Sequence, residues 1–205
     1  MDANQIKVPL FYLAPISYYG LIFNNIAHFS NAGMFMRKSY LHRGFISSSS
    51  GTQELIIPLC KHKEDSYFED IRISNYNKWQ KNHWRSIKTN YNSSPYFQFY
   101  QDDFERIYKT DYHFLTDINR SMNQVICTCL SMSFQTSENP FNTGLLTRDF
   151  WKMELPEYHQ VFEKEHGFIS GLSILDLLFN LGPESRIYLQ KISPLPQNRI
   201  TTFEP

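Results

Sequence analysis

One short segment of the chain combines residue types that could bind and transform a ligand. His83-Trp84-Arg85-Ser86-Ile87-Lys88 places a histidine, a tryptophan and two cations in one helical reading frame. The surrounding pattern predicts a helix from about residue 75 to 91. Cations recur on one face of that helix at steps of three and four residues, namely Lys78, Lys81, Arg85 and Lys88. This basic stripe predicts either a solvated cationic face or a phosphate clamp with Arg85 as its bidentate member.

A second candidate is the pair His42-Arg43, which follows an apolar turn and precedes a serine-rich loop. Neighbouring side chains of a strand face opposite ways, so only one of the two can point into a site. Arg43 is the better candidate, because a cation in an apolar strand needs an anionic partner or a ligand. The alternative is an edge-strand charge that discourages aggregation.

The third group of candidates lies nearer the C-terminus. Histidine titrates close to neutral pH, so His166 could act as a base or bind an anion, or it could be a solvated loop residue. Asp176 interrupts an apolar run, so it must be paired or face a cleft, and Arg43 and Arg148 are candidate partners.

These candidates suggest a single site built from distant parts of the chain. We predict that Arg43, Arg85 and His166 converge on one cleft, because buried or aligned polar groups far apart in sequence commonly meet at a binding pocket. Asp176 would then orient one of the cations through a charge-assisted bond.

The overall charge of the chain narrows the classes of function. Its 205 residues include 20 Lys and Arg against 20 Asp and Glu, which gives a net charge of +0. No global field favours DNA, RNA or an anionic membrane, so recognition by charge must be local. We therefore expect no nucleic-acid partner.

Cysteine usage and the N-terminus bear on the compartment. The odd number of cysteines, Cys60, Cys127 and Cys129, argues against a disulfide framework, and their spacing does not match a zinc knuckle, so we expect no metal site. The N-terminus MDANQIKVPLFYL has no basic region followed by a long apolar run, and no stretch reaches the length of a membrane span. These features predict a cytoplasmic protein, and they leave the cofactor and the oligomeric state undetermined.

Sheet-forming segments come first along the chain. A strand at 7–13, a helix from Ser17 to about Phe29 and an apolar run at 34–36 suggest a right-handed βαβ unit with parallel strands. Two further strands, at 40–46 and 54–59, flank a loop that reads as a hairpin connection.

Helical segments dominate the second half. Besides the helix at 75–91, we predict one starting at Ser94-Pro95, one near 116–132 and one over 174–181. The fold class is therefore α/β (or α+β), with a βαβ unit and a hairpin in the N-terminal half and helices in the C-terminal half. We predict one domain over residues 1–192 and a proline-rich irregular tail over 193–205.

Several of these segments also resemble a known family. WQKNHWRSIKTNYNSSPYFQFY (79–100) and HGFISGLSILDLLFNLGPES (166–185) are similar to the two best-marked blocks of the WbqC-like family. YLAPISYYG, SYLHRGFI and TRDFWKMELPEYHQVF resemble its other blocks, so the likeness extends over nearly the whole chain.

The resemblance implies a bacterial protein associated with O-antigen or surface-polysaccharide genes, with a role in transferring an amino acid such as glycine onto a glycan. Longer members begin with a strand, a His-Gln-Pro turn and a helix, as nucleotide-binding α/β folds do. Here that turn reads Leu13-Ala-Pro-Ile16 and lacks the His, and the family's Arg-Asn-Arg becomes Leu41-His42-Arg43. The second Arg of that motif, Arg43, is retained.

Two hypotheses of function follow. In the first, the protein is a group transferase of surface-glycan assembly that acts on a small-molecule or nucleotide-linked substrate. Cations would hold its phosphate or carboxylate, and a histidine would move the proton. Its site residues are Arg43, Arg85, Lys88 and Asp176 for substrate or phosphate binding and His83 and His166 for catalysis. In the second, the protein is a non-enzymatic module that binds a glycan or a partner through stacking aromatics. Burial of Tyr91, Tyr96, Tyr100 and Tyr158 would argue against the second hypothesis.

Overall fold

The computed structural model describes residues 5–192, and the predicted mixed α/β class is confirmed. Strand β1 (Gln5–Pro9), helix α1 (Ile16–Phe23) and strand β2 (Ile26–Ser30) form a βαβ unit whose strands are parallel. A short strand, β5 (Gln135–Ser137), pairs in parallel with the other edge of β2 and gives the order β1-β2-β5. The tail predicted over 193–205 lies outside the described residues.

We predicted the second strand of the βαβ unit at 34–36, but the strand lies earlier in the chain. Helix α1 ends at Phe23 because the next two side chains bond back onto it. Nδ2 of Asn24 donates to the Gly20 carbonyl at 2.9 Å, and Nδ2 of Asn25 donates to the Leu21 carbonyl at 2.7 Å. Such bonds favour the end of a helix over its continuation. The following residues then become extended and form β2.

The predicted hairpin is confirmed. Strands β3 (Arg43–Ser48) and β4 (Gly51–Ile56) are antiparallel and joined by a two-residue turn. The outer edge of β3 meets the chain that leaves β1 through a parallel bridge between Leu13 and Gly44. A Cβ on Gly44 would lie 2.3 Å from the Leu13 Cβ, so this close approach requires glycine.

The C-terminal half is helical, as the sequence predicts. Its helices are α2 (Trp79–Tyr91), α3 (Phe97–Lys109), α4 (Leu115–Cys129), α5 (Glu163–His166), α6 (Ile174–Leu181) and α7 (Ser185–Lys191). Single 3-10 turns lie at Phe68–Asp70, Tyr76–Lys78, Thr143–Leu146, Arg148–Trp151 and Gly182–Glu184. Helix α2 begins four residues after the predicted cap, Asn75, because Asn77 and Lys78 have left-handed backbone angles, with φ of 61° and 49°. Nowhere in residues 5–192 is there a helix with both the length and the apolarity needed to cross a membrane.

Two buried asparagines of α4 attach that helix to the sheet-forming half. Nδ2 of Asn119 donates to the carbonyls of Leu10 and Leu41, each at 2.7 Å, and Nδ2 of Asn123 donates to the carbonyl of Phe11 at 2.7 Å. Both asparagines are fully buried. These bonds satisfy carbonyls of irregular buried backbone, which would otherwise carry a large desolvation cost.

Candidate anion-binding site

A cleft of about 250 Å³ opens where the start of β3 meets the chain that leaves β4. We call it the Arg43 cleft; it is lined by Arg37, His42, Arg43, Ile56, Ile57, Pro58, Leu59, Cys60, Lys61 and His62. Three of these side chains are cations, and none of the described residues that line the cleft is a carboxylate. This composition attracts anions.

Arg43 is held in place from two sides. Its Nη1 donates to Oε1 of Glu54 at 2.8 Å, and its Nη2 donates to Nε2 of His42 at 3.2 Å, since a guanidinium cannot accept. Arg148 also approaches the same Glu54 oxygen, at 3.8 Å. The Nε–H of Arg43 is buried and has no acceptor within residues 5–192.

The bond from Arg43 fixes the tautomer of His42. Because Nε2 accepts a hydrogen bond, the proton of the neutral ring must be on Nδ1. Burial lowers the pKa of His42 to about 4, and the charges of Arg43, Arg37 and His62 act in the same direction. The ring is therefore neutral at pH 7. Its Nδ1 is a second buried donor with no partner in the described part of the chain.

The cleft thus carries two adjacent buried N–H groups without acceptors, on His42 and Arg43. Nearly all buried donors are satisfied, and each unmet one costs roughly 1–3 kcal/mol. An anion that reached both groups would supply the two missing acceptors. The strand pattern favours Arg43 over His42, because alternation in a strand turns neighbouring side chains to opposite faces. His42 precedes β3 and is not bound by that alternation. A histidine just outside a strand and next to an arginine is the sequence signal for it.

The predicted cations Arg85 and Lys88 lie elsewhere. Both are exposed on α2, and neither lines the Arg43 cleft. Nη2 of Arg85 donates to Oδ1 of Asn82 at 3.3 Å, within one turn of the same helix.

His83 faces inward from α2 and is 7% exposed. Its Nδ1 lies 3.0 Å from the hydroxyl of Tyr12, which in turn lies 2.5 Å from the hydroxyl of Tyr108. Burial lowers the pKa of His83 to about 4, and the backbone of Ile56 acts in the opposite direction. His83 is therefore neutral at pH 7 and belongs to a buried polar chain; its role in catalysis stays a prediction.

His166 does not meet Arg43. It is the last residue of α5, exposed, with Nε2 2.8 Å from the carbonyl of Ser49 in the hairpin turn. Arg43 is at the opposite end of β3, six residues from Ser49, which corresponds to roughly 20 Å of strand. The two residues are thus held at opposite ends of the same strand.

The prediction that Asp176 orients a cation is wrong. Its carboxylate accepts hydrogen bonds from the hydroxyl of Tyr91 at 2.9 Å, the hydroxyl of Tyr158 at 2.5 Å and Nε2 of Gln160 at 3.0 Å. Burial raises the pKa of Asp176 to about 6, and these three bonds oppose the rise. Neutral donors satisfy a buried carboxylate without burying a second charge.

The Asp176 carboxylate joins three elements. Tyr91 of α2, which donates to it, accepts in turn from the backbone N–H of Ser47 in β3 at 3.0 Å. Because Asp176 is in the first turn of α6, the network connects α6, α2 and β3. Its contacts are those of a structural residue that fixes the hairpin against the helices.

A comparison with protein families shows to which family the chain belongs. The model of the WbqC-like protein family matches residues 16–140 and 136–188. The chain belongs to the WbqC-like protein family. A relative in Mycobacterium tuberculosis, described as Uncharacterized protein Rv1507c, is 24% identical over 196 residues, covering 76% of this chain and 84% of the relative. No solved structure matches the WbqC-like chain. All residues of the Arg43 cleft lie within the first segment matched by the WbqC-like model.

Proposed function

We propose that this WbqC-like protein binds the anionic part of an activated donor in the Arg43 cleft and transfers a group from it during surface-glycan assembly. The observation that carries the proposal is the pair of buried donors without acceptors, Nδ1 of His42 and Nε of Arg43. Membership of the WbqC-like family supports the glycan setting.

The cleft is suited to a donor that leaves as a phosphate or carboxylate. Fixed N–H groups and cations stabilise negative charge that develops on a leaving group, and they need no reorganisation when it forms. Arg43 is pre-oriented by Glu54 and His42, while Arg37 and Lys61 are exposed cations at the rim. Substrate anions would therefore meet the exposed cations first and the more buried donors of His42 and Arg43 after them.

The alternative function, a glycan-binding module with tyrosine platforms, has weaker support. Tyr91 and Tyr158 are buried, and the hydroxyls of both donate hydrogen bonds to Asp176. Tyr96 and Tyr100 are half-buried and keep some accessible surface. A stacking platform needs an exposed ring face, so the two buried rings cannot serve.

Calorimetric titration of the full chain tests the binding step. Nucleotides, nucleotide sugars and acyl phosphates form the panel, and we expect at least one to bind at millimolar or tighter concentration. Lys61→Glu and Arg37→Ala should weaken that binding by about tenfold or more, because each removes charge from the cleft. Lys38→Glu and Lys63→Glu are matched controls, since both are exposed neighbours outside the lining.

The same panel separates the two functions. Any compound that binds is incubated with a nucleotide-linked sugar acceptor, and mass spectrometry is used to detect transfer of its group. Transfer that Lys61→Glu reduces supports the enzyme. Binding without transfer favours the binding module, and no binding, or equal losses in the Lys38→Glu control, overturns the Arg43 cleft as the site.

A further inference from the structure

The three tryptophans differ in what their indole N–H groups contact. Nε1 of Trp84 donates to Oε1 of Glu105 at 3.1 Å, and Nε1 of Trp151 donates to the Leu145 carbonyl at 2.7 Å. Trp79 is also buried, with 5% of its surface exposed, but its Nε1 has no acceptor among residues 5–192. Buried indole N–H groups usually have a partner, so Trp79 marks a place where a ligand acceptor would be favourable.

Trp79 forms part of the wall of a second cleft, of about 330 Å³, at the start of α2. We call it the Trp79 cleft; it is lined by Asn75, Lys78, Trp79, Gln80, Lys81, Tyr108 and Asp111. It shares no lining residue with the Arg43 cleft. Lys78 and Lys81 are exposed there, and in the described part of the chain neither has a carboxylate within salt-bridge distance.

The start of α2 adds to the positive potential. The helix has 13 residues, and its cap residue, Lys78, makes no side-chain capping bond. The amides of an uncapped first turn carry partial positive charge along the helix axis. The residues that line the cleft thus include a tryptophan whose indole N–H has no acceptor within residues 5–192 and two lysines, at a helix end that favours an anion.

We infer that the Trp79 cleft binds a phosphate group, with Nε1 of Trp79 as a hydrogen-bond donor and Lys78 and Lys81 as its counter-charges. A phosphate offers three acceptor oxygens and up to two charges, which suits an indole N–H, two ammonium groups and a helix end together. A carboxylate has two oxygens and one charge. Asp111 opposes the anion, and it limits the affinity of the cleft.

Nuclear magnetic resonance of the full chain provides the direct test, because each of the three indole N–H groups gives its own ¹H–¹⁵N signal. Single Phe variants of Trp79, Trp84 and Trp151 assign the signals. Inorganic phosphate, methyl phosphate and acetate are then titrated at constant ionic strength. We expect phosphate to move the Trp79 signal saturably and to leave the other two in place. Acetate should have a much smaller effect.

The outcomes distinguish the source of the phosphate group. Movement with both inorganic and methyl phosphate indicates a site for phosphoesters, and movement with inorganic phosphate alone indicates a site for the free ion. An unmoved Trp79 signal overturns the inference, as does an equal response to acetate. Lys61→Glu, which we expect to weaken binding in the Arg43 cleft, should leave the Trp79 response unchanged, so the two proposals fail separately.

Trp79→Phe separates a ligand role from a structural one. The substitution removes an N–H that has no acceptor within residues 5–192 together with part of the indole ring, so any loss of stability should come from packing and not from a lost hydrogen bond. Phosphate affinity, followed at the backbone amide of Lys81, should fall by about fivefold or more. Affinity equal to the wild type would overturn the assignment.

The neighbouring charges give further variants, which keep the inference testable if Trp79→Phe fails to fold. Lys81→Gln should lower the phosphate affinity by about threefold or more, followed at the indole signal of Trp79. Asp111→Asn should raise it, because a repelling carboxylate is removed. Lys63→Gln, at an exposed lysine outside the cleft, is the matched control. A loss with Lys63→Gln as large as with Lys81→Gln would overturn the site.

Discussion

Nη2 of Arg43 donates a 3.2 Å hydrogen bond to Nε2 of the preceding residue, His42. The bond requires a neutral His42 ring, because a protonated imidazole has no acceptor nitrogen. Protonation would break the bond and place two cations side by side. The pKa of His42, lowered to about 4 by burial and by its cationic neighbours, agrees with this geometry. The state of this pair therefore depends on pH.

We expect acid to destabilise the protein partly through His42. Its pKa is about 6.5 in the unfolded chain and about 4 in the folded one, so the unfolded chain binds more protons between these values. The contribution to stability is complete above pH 6.5 and is lost as the pH falls through 4. Its size is about 3 kcal/mol at 1.36 kcal/mol per pKa unit.

Urea unfolding between pH 4 and 8 measures this contribution. His42→Gln should show a shallower loss of stability on acidification than the wild type. His113→Gln, at an exposed histidine, should keep the wild-type slope. A His42→Gln slope equal to that of the wild type would contradict the assignment. Buried His83, whose pKa is also lowered to about 4, should leave a residual slope in the variant.

Asp176 should change the free energy of unfolding with pH in the direction opposite to His42. Its pKa is raised to about 6, so the folded chain binds more protons than the unfolded one between about pH 4 and 6. The carboxyl therefore lowers the free energy of unfolding as the pH rises through this window, by a few kcal/mol. Asp176→Asn removes this opposing effect, and the stability of the variant should rise more steeply with pH from 4 to 6. An unchanged slope by urea unfolding would refute the prediction.

Tyr158→Phe should cost about 1.5–3 kcal/mol of unfolding free energy, because it removes a donor to a buried charged acceptor. The lost bond, 2.5 Å from the Tyr158 hydroxyl to Oδ2 of Asp176, cannot be replaced by water in a buried network. Tyr100→Phe is the matched control at a half-buried tyrosine away from the carboxylate, and it should change stability by less than about 0.5 kcal/mol. Equal effects of the two substitutions in chemical denaturation would show that Tyr158 does not stabilise Asp176.

Gly44→Ala should destabilise the protein strongly, by about 3 kcal/mol or more, because its Cβ would overlap both side-chain and backbone atoms. The nearest atoms are the Leu13 Cβ at 2.3 Å and the Leu13 carbonyl oxygen at 2.8 Å. Gly20→Ala is a milder control, since its Cβ would meet a methyl group of Ile192 at 3.1 Å. Denaturant midpoints that fall equally for the two variants would argue against the close approach of β3 to the chain after β1.

Local patterning predicted much of the fold, and it failed where distant contacts compete with it. The apolar run over Ile174–Leu181 gave its helix with the correct bounds, and the hairpin followed from two strands around a serine-rich turn. Strand β5 was missed because Gln135–Ser137 is short and polar. It is extended only because the edge of β2 offers backbone partners, and no sequence window of that length contains this information.

The candidate sites show the same division. The sequence alone indicates that Arg43, a cation beside apolar strand residues, needs a partner and that the Asp176 carboxylate must be satisfied. Only the tertiary structure decided the partners: Glu54 and His42 for Arg43, and two tyrosines and a glutamine for Asp176. A residue's own type fixes its need for a hydrogen bond or a counter-charge. Packing of segments far apart in the chain decides which group meets that need, and which donors, such as Nε1 of Trp79, are left for a ligand.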